Sequence, residues 1–182
     1  MNKALITLVL ALLIGTAGYF GLYQQQSALS GLQVMPPKPL TPMILMDYER
    51  NSLGIDVLKD KWTYIVFADN DCADVCNEQL RVVEQAVAAS SQPIQPLLVM
   101  GFEPSAELID AIKQQHPDLT IAVLTRSIWS IFTVQFLSVL EQLSGQAIIM
   151  TGPFGMIRLA YDELASADQL IADQPLIFAK VK

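Results

Sequence analysis

The sequence has 182 residues, 52% of them hydrophobic and 16% charged, with a formal net charge of −7. Its length suits one ordinary domain plus flanking segments, and its composition excludes the disordered, collagen-like and coiled-coil classes. An acidic chain with no basic cluster is a poor nucleic-acid binder. Its two cysteines are too few for a disulfide-rich scaffold or a four-ligand structural zinc site.

The N-terminal residues 4–23 form an uncharged, largely apolar run of bilayer-spanning length. Lys3 precedes the run and the next basic residue is Lys38, so the N-terminus is predicted to stay cytoplasmic while the rest is exported. We expect a single membrane anchor over residues 1–23, in the inner membrane of a bacterium, with the following domain in the periplasm. A cleaved signal peptide with a site at 15–17, or an organellar intermembrane space, stays an alternative.

Residues 24–42 are rich in glutamine, serine and proline, including Pro36, Pro37, Pro39 and Pro42. Prolines at this density favour extended polyproline II structure. The sequence therefore predicts a semi-rigid linker over 24–42 and a folded domain over 43–182.

Within that domain, apolar strand-like runs alternate with amphipathic stretches. The predicted strands are 62–68, 97–100, 120–124, 147–150 and 156–161, with a possible terminal strand at 176–181. The predicted helices are 74–90, 105–115, 127–140 (one helix or two short ones) and 165–172. The uncharged stretch 127–140 is predicted to be either central or turned toward a membrane partner.

The order β-α-β-α-β-α-β-β-α predicts an α/β domain with a mixed central sheet and helices on both faces. Parallel strands come first, and an antiparallel hairpin and a helix end the chain. This is the thioredoxin plan, so the predicted fold is thioredoxin-like behind one N-terminal transmembrane helix.

Cys72 and Cys76 stand where the first buried strand ends and a helix begins. Free N–H groups and the helix dipole stabilise a thiolate there, so the pair is a candidate redox centre or a Cu(I)-binding pair. The acidic neighbours Asp69, Asp71, Asp74 and Glu78 should raise the thiol pKa and favour metal handling. A structural disulfide, or two buried small hydrophobic residues, is the alternative interpretation.

The motif Cys72-Ala73-Asp74-Val75-Cys76, followed by Glu78 and Leu80, resembles the C-P-D-V-C-P motif of the SCO/SenC family. Phe102-Glu103-Pro104 and Gly152-Pro153-Phe154-Gly155 stand where that family has V-D-P and a D-P-x-G hairpin turn. The resemblance spans roughly residues 43–172. It implies a membrane-anchored, thioredoxin-like assembly factor for the copper centre of cytochrome c oxidase, which holds copper through two cysteines and a histidine.

The chain departs from this family at the ligand histidine, whose position falls on Ser144 or its neighbour Gly145. Both motif prolines are also absent, and no proline stands where thioredoxins carry a cis-proline. The only histidine, His116, is predicted to be a structural residue at a helix end. Met100 and Met150 could offer a thioether to Cu(I) but are predicted to fill the core.

Three functions remain open from the sequence. The first is a SCO-like assembly factor for cytochrome c oxidase, acting by thiol redox or Cu(I) handling at Cys72 and Cys76. The second is a general membrane-anchored thiol-disulfide oxidoreductase. The third is a non-catalytic interaction protein of a respiratory complex. Copper is a possible cofactor under the first, and an oxidase subunit or its assembly factors are the expected partners.

Overall fold

The computed structural model describes residues 29–41, 45–68, 72, 74–101, 104–143 and 146–179. The predicted anchor over 1–23, Ser144 and the possible strand end at 180–181 lie outside these residues. In the part of the chain that is described, no helix is long and apolar enough to cross a membrane.

One mixed sheet of six strands forms the centre of the domain. The strands are β1 Leu32–Pro39, β2 Trp62–Ala68, β3 Ile94–Gly101, β4 Thr120–Leu124, β5 Ile148–Gly152 and β6 Met156–Tyr161. Their order across the sheet is β1-β6-β5-β2-β3-β4. β2, β3 and β4 run parallel, while β1, β5 and β6 join by antiparallel pairing. The predicted parallel start and antiparallel hairpin are therefore confirmed.

Helices cover both faces of this sheet, as predicted. The helices are α1 Asp74–Ala88, α2 Ala106–Gln115, α3 Arg126–Val134, α4 Leu137–Leu140 and α5 Ala167–Phe178. Short 3-10 turns lie at Ile55–Leu58 and Pro153–Gly155. Helices α2 and α5 begin at serine caps, because the Ser105 and Ser166 side chains accept from the N–H groups of Leu108 and Gln169.

Two hydrophobic cores lie on opposite faces of the sheet. The cysteine-side core takes residues from α1, α2 and α5 together with Cys72 and Cys76. The opposite core takes Phe132, Phe136 and Val139 from α3 and α4. All seven residues of β2 are buried, since alternate side chains enter alternate cores. β2 thus contributes side chains to both cores, as the central strands β3 and β5 also do.

The stretch 127–140 forms two short helices rather than one. Its two phenylalanines, Phe132 and Phe136, are buried, whereas Ile131, Val134 and Leu137 are 59%, 52% and 46% exposed. One side of the stretch therefore packs into the core, and the other side exposes a ridge of apolar side chains.

The predicted linker is wrong over residues 32–39, which form the edge strand β1. Leu32 pairs with Ala160 and Pro39 pairs with Met156, across an irregularity between Gln33 and Lys38. An edge strand tolerates prolines because one side of it needs no ladder hydrogen bonds. The folded domain therefore begins before residue 43.

The possible terminal strand at 176–181 is also wrong where it is described, because Leu176–Phe178 continue α5. Ile177 is buried in the cysteine-side core, and the Phe178 ring packs 4.8 Å from that of Trp62, measured between ring centroids. The apolar pattern of these residues predicts a strand, but in the structure they lie on the buried side of a helix.

Candidate functional site

A disulfide joins Cys72 to Cys76 at the junction between β2 and α1. The two Cα atoms lie 5.1 Å apart and the sulfurs 2.01 Å apart. The first buried strand ends at Ala68, and α1 begins at Asp74, so the pair stands at the carboxyl end of a central strand. The structure thus places the two predicted site residues together where the sequence put them.

Both cysteines are largely buried, but Cys72 is more exposed to solvent than Cys76. Cys72 keeps 7% of its surface exposed and Cys76 only 2%. Asn77 closes the loop between them, since its Nδ2 donates to the Cys72 carbonyl oxygen at 3.1 Å. Asn77 Oδ1 lies 3.6 Å from Cys72 Sγ. A disulfide sulfur has no proton to donate, so this contact becomes a hydrogen bond only when Cys72 is a thiol.

The charge around the pair is less one-sided than the sequence predicts. Glu78 receives two hydrogen bonds from Arg81, at 2.5 and 3.0 Å, and these bonds lower the pKa of Glu78. The Arg81 cation therefore offsets one of the four acidic neighbours. Asp74 is exposed in the first turn of α1, and Asp69 and Asp71 lie outside the described residues. The N-terminus of α1 still favours a thiolate.

The sequence pattern does not reveal Gln79, which ties α1 to the loop before β5. Gln79 is 1% exposed, and its Nε2 donates to the Gln146 carbonyl oxygen at 3.1 Å. The Gln146 N–H in turn donates to Glu163 Oε2 at 3.4 Å. Gln79 stands three residues after Cys76, on the buried side of α1. A polar residue at an inward helical position was the signal that could have found it.

This loop includes the position expected for the family histidine. Ser144 and Gly145 themselves are not described, but Gln146 and Ala147 are. The carbonyl held by Gln79 therefore lies two residues beyond Ser144.

An apolar groove of about 210 Å³ opens beside the end of β2. Its lining is mainly hydrophobic and consists of Phe67, Ala68, Trp129, Thr133, Leu140, Gln146 and Ala147. Gly101 leaves room for the Trp129 ring, because a Cβ at Gly101 would lie 2.9 Å from it. The groove has the size and chemistry to hold one or two apolar side chains of a partner segment.

His116 is not part of this site. It caps the end of α2, is 6% exposed, and its Nδ1 lies 2.8 Å from Glu84 Oε1 on α1. Met100 and Met150 are fully buried in the cysteine-side core. Met150 lies in the middle of β5, opposite Tyr64, rather than at a strand end as the sequence suggested.

Among the residues that the structure describes at this site, the soft donors for a metal are the two cysteine sulfurs once their disulfide is reduced. Among the described residues, no group of three His, Cys, Asp or Glu side chains could hold a metal ion. The three-ligand copper site that the family resemblance implies therefore does not fit the residues that the structure places here.

Comparisons with known proteins find the fold but no close relative. No protein-family model matches the sequence, and no curated protein matches it at the sequence level. Copper-bound yeast Sco1 superposes with a TM-score of 0.65 at 17% identity, covering 82% of this chain and 96% of that one. Copper-bound ScoI of Arabidopsis thaliana gives 0.63 at 14%, covering 78% and 98%.

A thioredoxin domain of a Bacteroides vulgatus thiol-disulfide oxidoreductase is also similar. Its TM-score is 0.58 at 15% identity, with 80% of this chain and 96% of that one covered. The predicted α/β thioredoxin-like fold is therefore confirmed. The chain is a structural match to Sco proteins and to thioredoxin-like oxidoreductases, and it carries a CxxxC disulfide.

Proposed function

We propose that this chain is a membrane-tethered, Sco-like thiol-disulfide exchange protein that serves the assembly of cytochrome c oxidase. The observation that carries the proposal is the Cys72–Cys76 disulfide at the β2–α1 junction of a thioredoxin-like fold. One of the similar structures is BsSco, described as a member of the Sco family of cytochrome c oxidase assembly proteins. The tether is residues 4–23, and the domain works on the periplasmic side of a bacterial inner membrane.

The reaction is a two-electron exchange with a partner's disulfide. The Cys72 thiolate attacks one partner sulfur, and the other partner sulfur leaves as a thiolate and takes a proton. The Cys76 thiolate then attacks Cys72 Sγ, which restores the Cys72–Cys76 disulfide and releases the second partner sulfur as a thiol. A dithiol donor reduces the pair again before the next turnover.

Cys72 is assigned the first attack because it is the more exposed cysteine. In the resting reduced state, Asn77 Oδ1 accepts a hydrogen bond from the Cys72 thiol. Cys76, deeper in the core and on the first turn of α1, is the resolving residue. We assign the partner segment to the apolar groove beside Ala68, the last residue of β2 before the cysteine loop.

Cu(I) cargo is the second candidate function, and the closeness of the two sulfurs favours it. Two thiolates suit Cu(I), which accepts low coordination with soft ligands. An anaerobic Cu(I) competition titration of the reduced chain tests it beside the Cys72→Ser/Cys76→Ser double variant. One-to-one binding that the double variant loses supports cargo binding, and equal binding in both removes it.

The exchange proposal is tested with single cysteine variants in cells that need the oxidase. Cys76→Ser should trap Cys72 in a mixed disulfide with an oxidase subunit or assembly factor, and Cys72→Ser should not. Both variants should lower assembled oxidase. Loss of general disulfide reduction with normal oxidase would indicate a general oxidoreductase instead. No effect on either readout would leave an interaction protein.

A further inference from the structure

Asn77 presents its side-chain amide to the Cys72 sulfur in a fixed orientation. Its Nδ2 donates to the Cys72 carbonyl oxygen at 3.1 Å, and a carbonyl oxygen can only accept a hydrogen bond. The amide therefore cannot turn over without losing that hydrogen bond and setting two oxygens against each other. Its Oδ1 is held toward Cys72 Sγ, 3.6 Å away. The sulfur thus faces a hydrogen-bond acceptor.

This acceptor distinguishes the two redox states of the cysteine pair. In the disulfide, the Cys72 sulfur carries only lone pairs and has no proton to donate to Oδ1. When the disulfide takes up two electrons and two protons, the S–S bond breaks and each sulfur becomes a thiol. The Cys72 S–H can then donate to Oδ1, so this hydrogen bond exists only when the pair is reduced.

The surroundings of Cys72 strengthen the effect of this acceptor. Cys72 is largely buried and Asn77 is half-buried, so water competes weakly for the thiol proton. The hydrogen bond from Nδ2 to the carbonyl does not involve the sulfur, so it is present in both redox states and favours neither. Asn77 also stands at the second proline of the C-P-D-V-C-P motif, and a proline side chain neither donates nor accepts.

We infer that Asn77 stabilises the reduced form of the Cys72–Cys76 pair and so raises its reduction potential. An interaction made in one state only shifts the equilibrium toward that state by its own free energy. A pair with a higher potential is a weaker electron donor, so the partner disulfides that suit it are strained or exposed ones rather than stable structural disulfides. This role rests on the exchange chemistry of the proposed function and adds the class of disulfide that the pair reduces.

The test measures the equilibrium of the pair with thiol–disulfide buffers at pH 7. The full chain in detergent is equilibrated with glutathione or dithiothreitol, whose thiols supply the two electrons and two protons and form their own disulfide. Asn77→Leu replaces the amide by a side chain of similar size that neither donates nor accepts. Because S–H is a weak donor, we expect the ratio of reduced to oxidised chain to fall about threefold, which is about 14 mV.

A thermodynamic cycle separates this effect from a loss of packing. Asn77→Leu loses the Nδ2 hydrogen bond in both redox states but loses the Oδ1 hydrogen bond only in the reduced chain. Its unfolding constant in urea should therefore rise about threefold more in the reduced chain than in the oxidised chain. Gln85→Leu, which replaces an exposed amide on the same helix, is the matched control and should leave the potential unchanged.

A second measurement needs no change at Asn77. In Cys76→Ser, Cys72 is the only thiol of the chain, and its S–H stretching band can be read by Raman spectroscopy. The band should lie at lower frequency in the folded chain than in the chain unfolded by urea, because the folded thiol donates to Oδ1. A band that does not move on unfolding overturns the hydrogen bond, even where Asn77→Leu does not fold.

The outcomes separate this role from the proposed function. An unchanged or higher potential in Asn77→Leu overturns the role of Asn77 and leaves the exchange function standing. A pair that no buffer reduces in the folded native chain overturns the exchange function, and the role of Asn77 with it. A lower potential in Asn77→Leu, beside normal oxidase in the single cysteine variants, supports the role of Asn77 and removes the assembly function.

Discussion

The two faces of the sheet are built from different chemistry. The opposite core is made of aliphatic residues and rings in tilted or edge-on contact, and Phe67 lies 5.2 Å from Phe136 and 5.9 Å from Phe132 between ring centroids. The cysteine-side core instead buries polar groups among its apolar residues, namely Gln79, His116, Asp173 and Gln174 with the hydroxyls of Tyr64 and Tyr161.

These buried polar groups connect separate elements. Gln174 Nε2 donates to the Ala86 carbonyl oxygen at 2.9 Å and so joins α5 to α1. Asp173 holds Ser30 and Gly31 just before β1, and Gln79 holds the loop before β5. A buried polar group is costly unless it is hydrogen-bonded, so each one constrains position more strongly than an apolar contact does. The face that carries the disulfide therefore has more of these buried polar ties, whereas the opposite face relies mainly on rings and aliphatic side chains, with Gln135 as a buried polar tie to Thr41.

The largest expected effect comes from breaking the opposite core. Phe136 is fully buried between Phe67 and Phe132. Phe136→Ala should lower the free energy of unfolding by about 3–5 kcal/mol, measured by urea unfolding of the full chain in detergent. The reduction potential of the cysteine pair should stay unchanged. Val134→Ala, at an exposed position on α3, is the control and should cost less than about 0.5 kcal/mol. A shift of the potential in Phe136→Ala would contradict the division between the faces.

High pH should destabilise the cysteine-side core. Burial raises the pKa of Tyr64 to about 12 and also raises that of Tyr161. In the unfolded chain tyrosine ionises near pH 10, so above pH 10 the unfolded state releases a proton that the folded state keeps. Stability should be intact well below pH 10 and fall by about 2 kcal/mol by pH 12 through Tyr64 alone.

Unfolding of the oxidised chain at pH 8, 10 and 11 measures this slope. Tyr64→Phe should flatten it, and Tyr48→Phe, which changes a tyrosine outside this core, should not. An equal slope in Tyr64→Phe and the native chain would show that Tyr64 does not titrate as its burial implies.

A smaller loss is expected where the chain enters the domain. Asp173→Asn keeps the shape of the side chain but replaces one acceptor oxygen by an NH₂ donor, which faces the N–H groups of Ser30 and Gly31. We expect a loss of about 1–3 kcal/mol and faster proteolysis near residue 30. Asp110→Asn, exposed on α2, is the matched control. Native resistance to proteolysis in Asp173→Asn would mean that other contacts hold the entry point.

The site could be predicted because its sequence signal is local. Residues 62–68 are uniformly apolar or β-branched, and a helical pattern follows at once, so the positions of Cys72 and Cys76 at a strand-helix junction follow from the chain itself. The antiparallel hairpin is equally local, with Phe154 and Gly155 at positive φ in its turn.

The predictions that were wrong concern residues whose structure depends on partners far away in the sequence. β1 is a strand only because β6 offers it an edge, and its prolines read as a linker without that pairing. The end of α5 is helical despite Pro175 because Ile177 and Phe178 pack against the sheet and Trp62. Gln79 was not predicted because an amphipathic pattern identifies buried positions by their apolar residues. A polar residue on the buried side of a helix does not indicate its hydrogen-bond partner, which here is the carbonyl of Gln146.

The smallest expected effect on stability, and the sharpest test of the comparison, is at Gln79. Gln79→Leu removes the donor to the Gln146 carbonyl, but it also removes the buried Gln79 Oε1, which has no hydrogen-bond partner. These changes oppose each other, so unfolding should shift by less than about 1 kcal/mol. In Gln79→Leu the loop before β5 loses its hydrogen bond to α1. If that hydrogen bond, worth about 1 kcal/mol, positions the loop in the transition state of exchange, its loss slows the reduction of a peptide disulfide about fivefold.

The rate with a small disulfide, which does not touch the loop, should not change in Gln79→Leu. Gln85→Leu, exposed on the same helix, is the matched control and should leave both rates as they are. If Gln79→Leu lowers stability like Phe136→Ala and leaves the peptide rate unchanged, then Gln79 is a packing residue and the two faces differ less than their hydrogen bonds indicate. If the peptide rate falls while stability is unchanged, the buried Gln79 amide positions the loop beside the disulfide. Its hydrogen bond then contributes little to stability and serves mainly to orient the loop that a partner contacts on its way to the sulfurs.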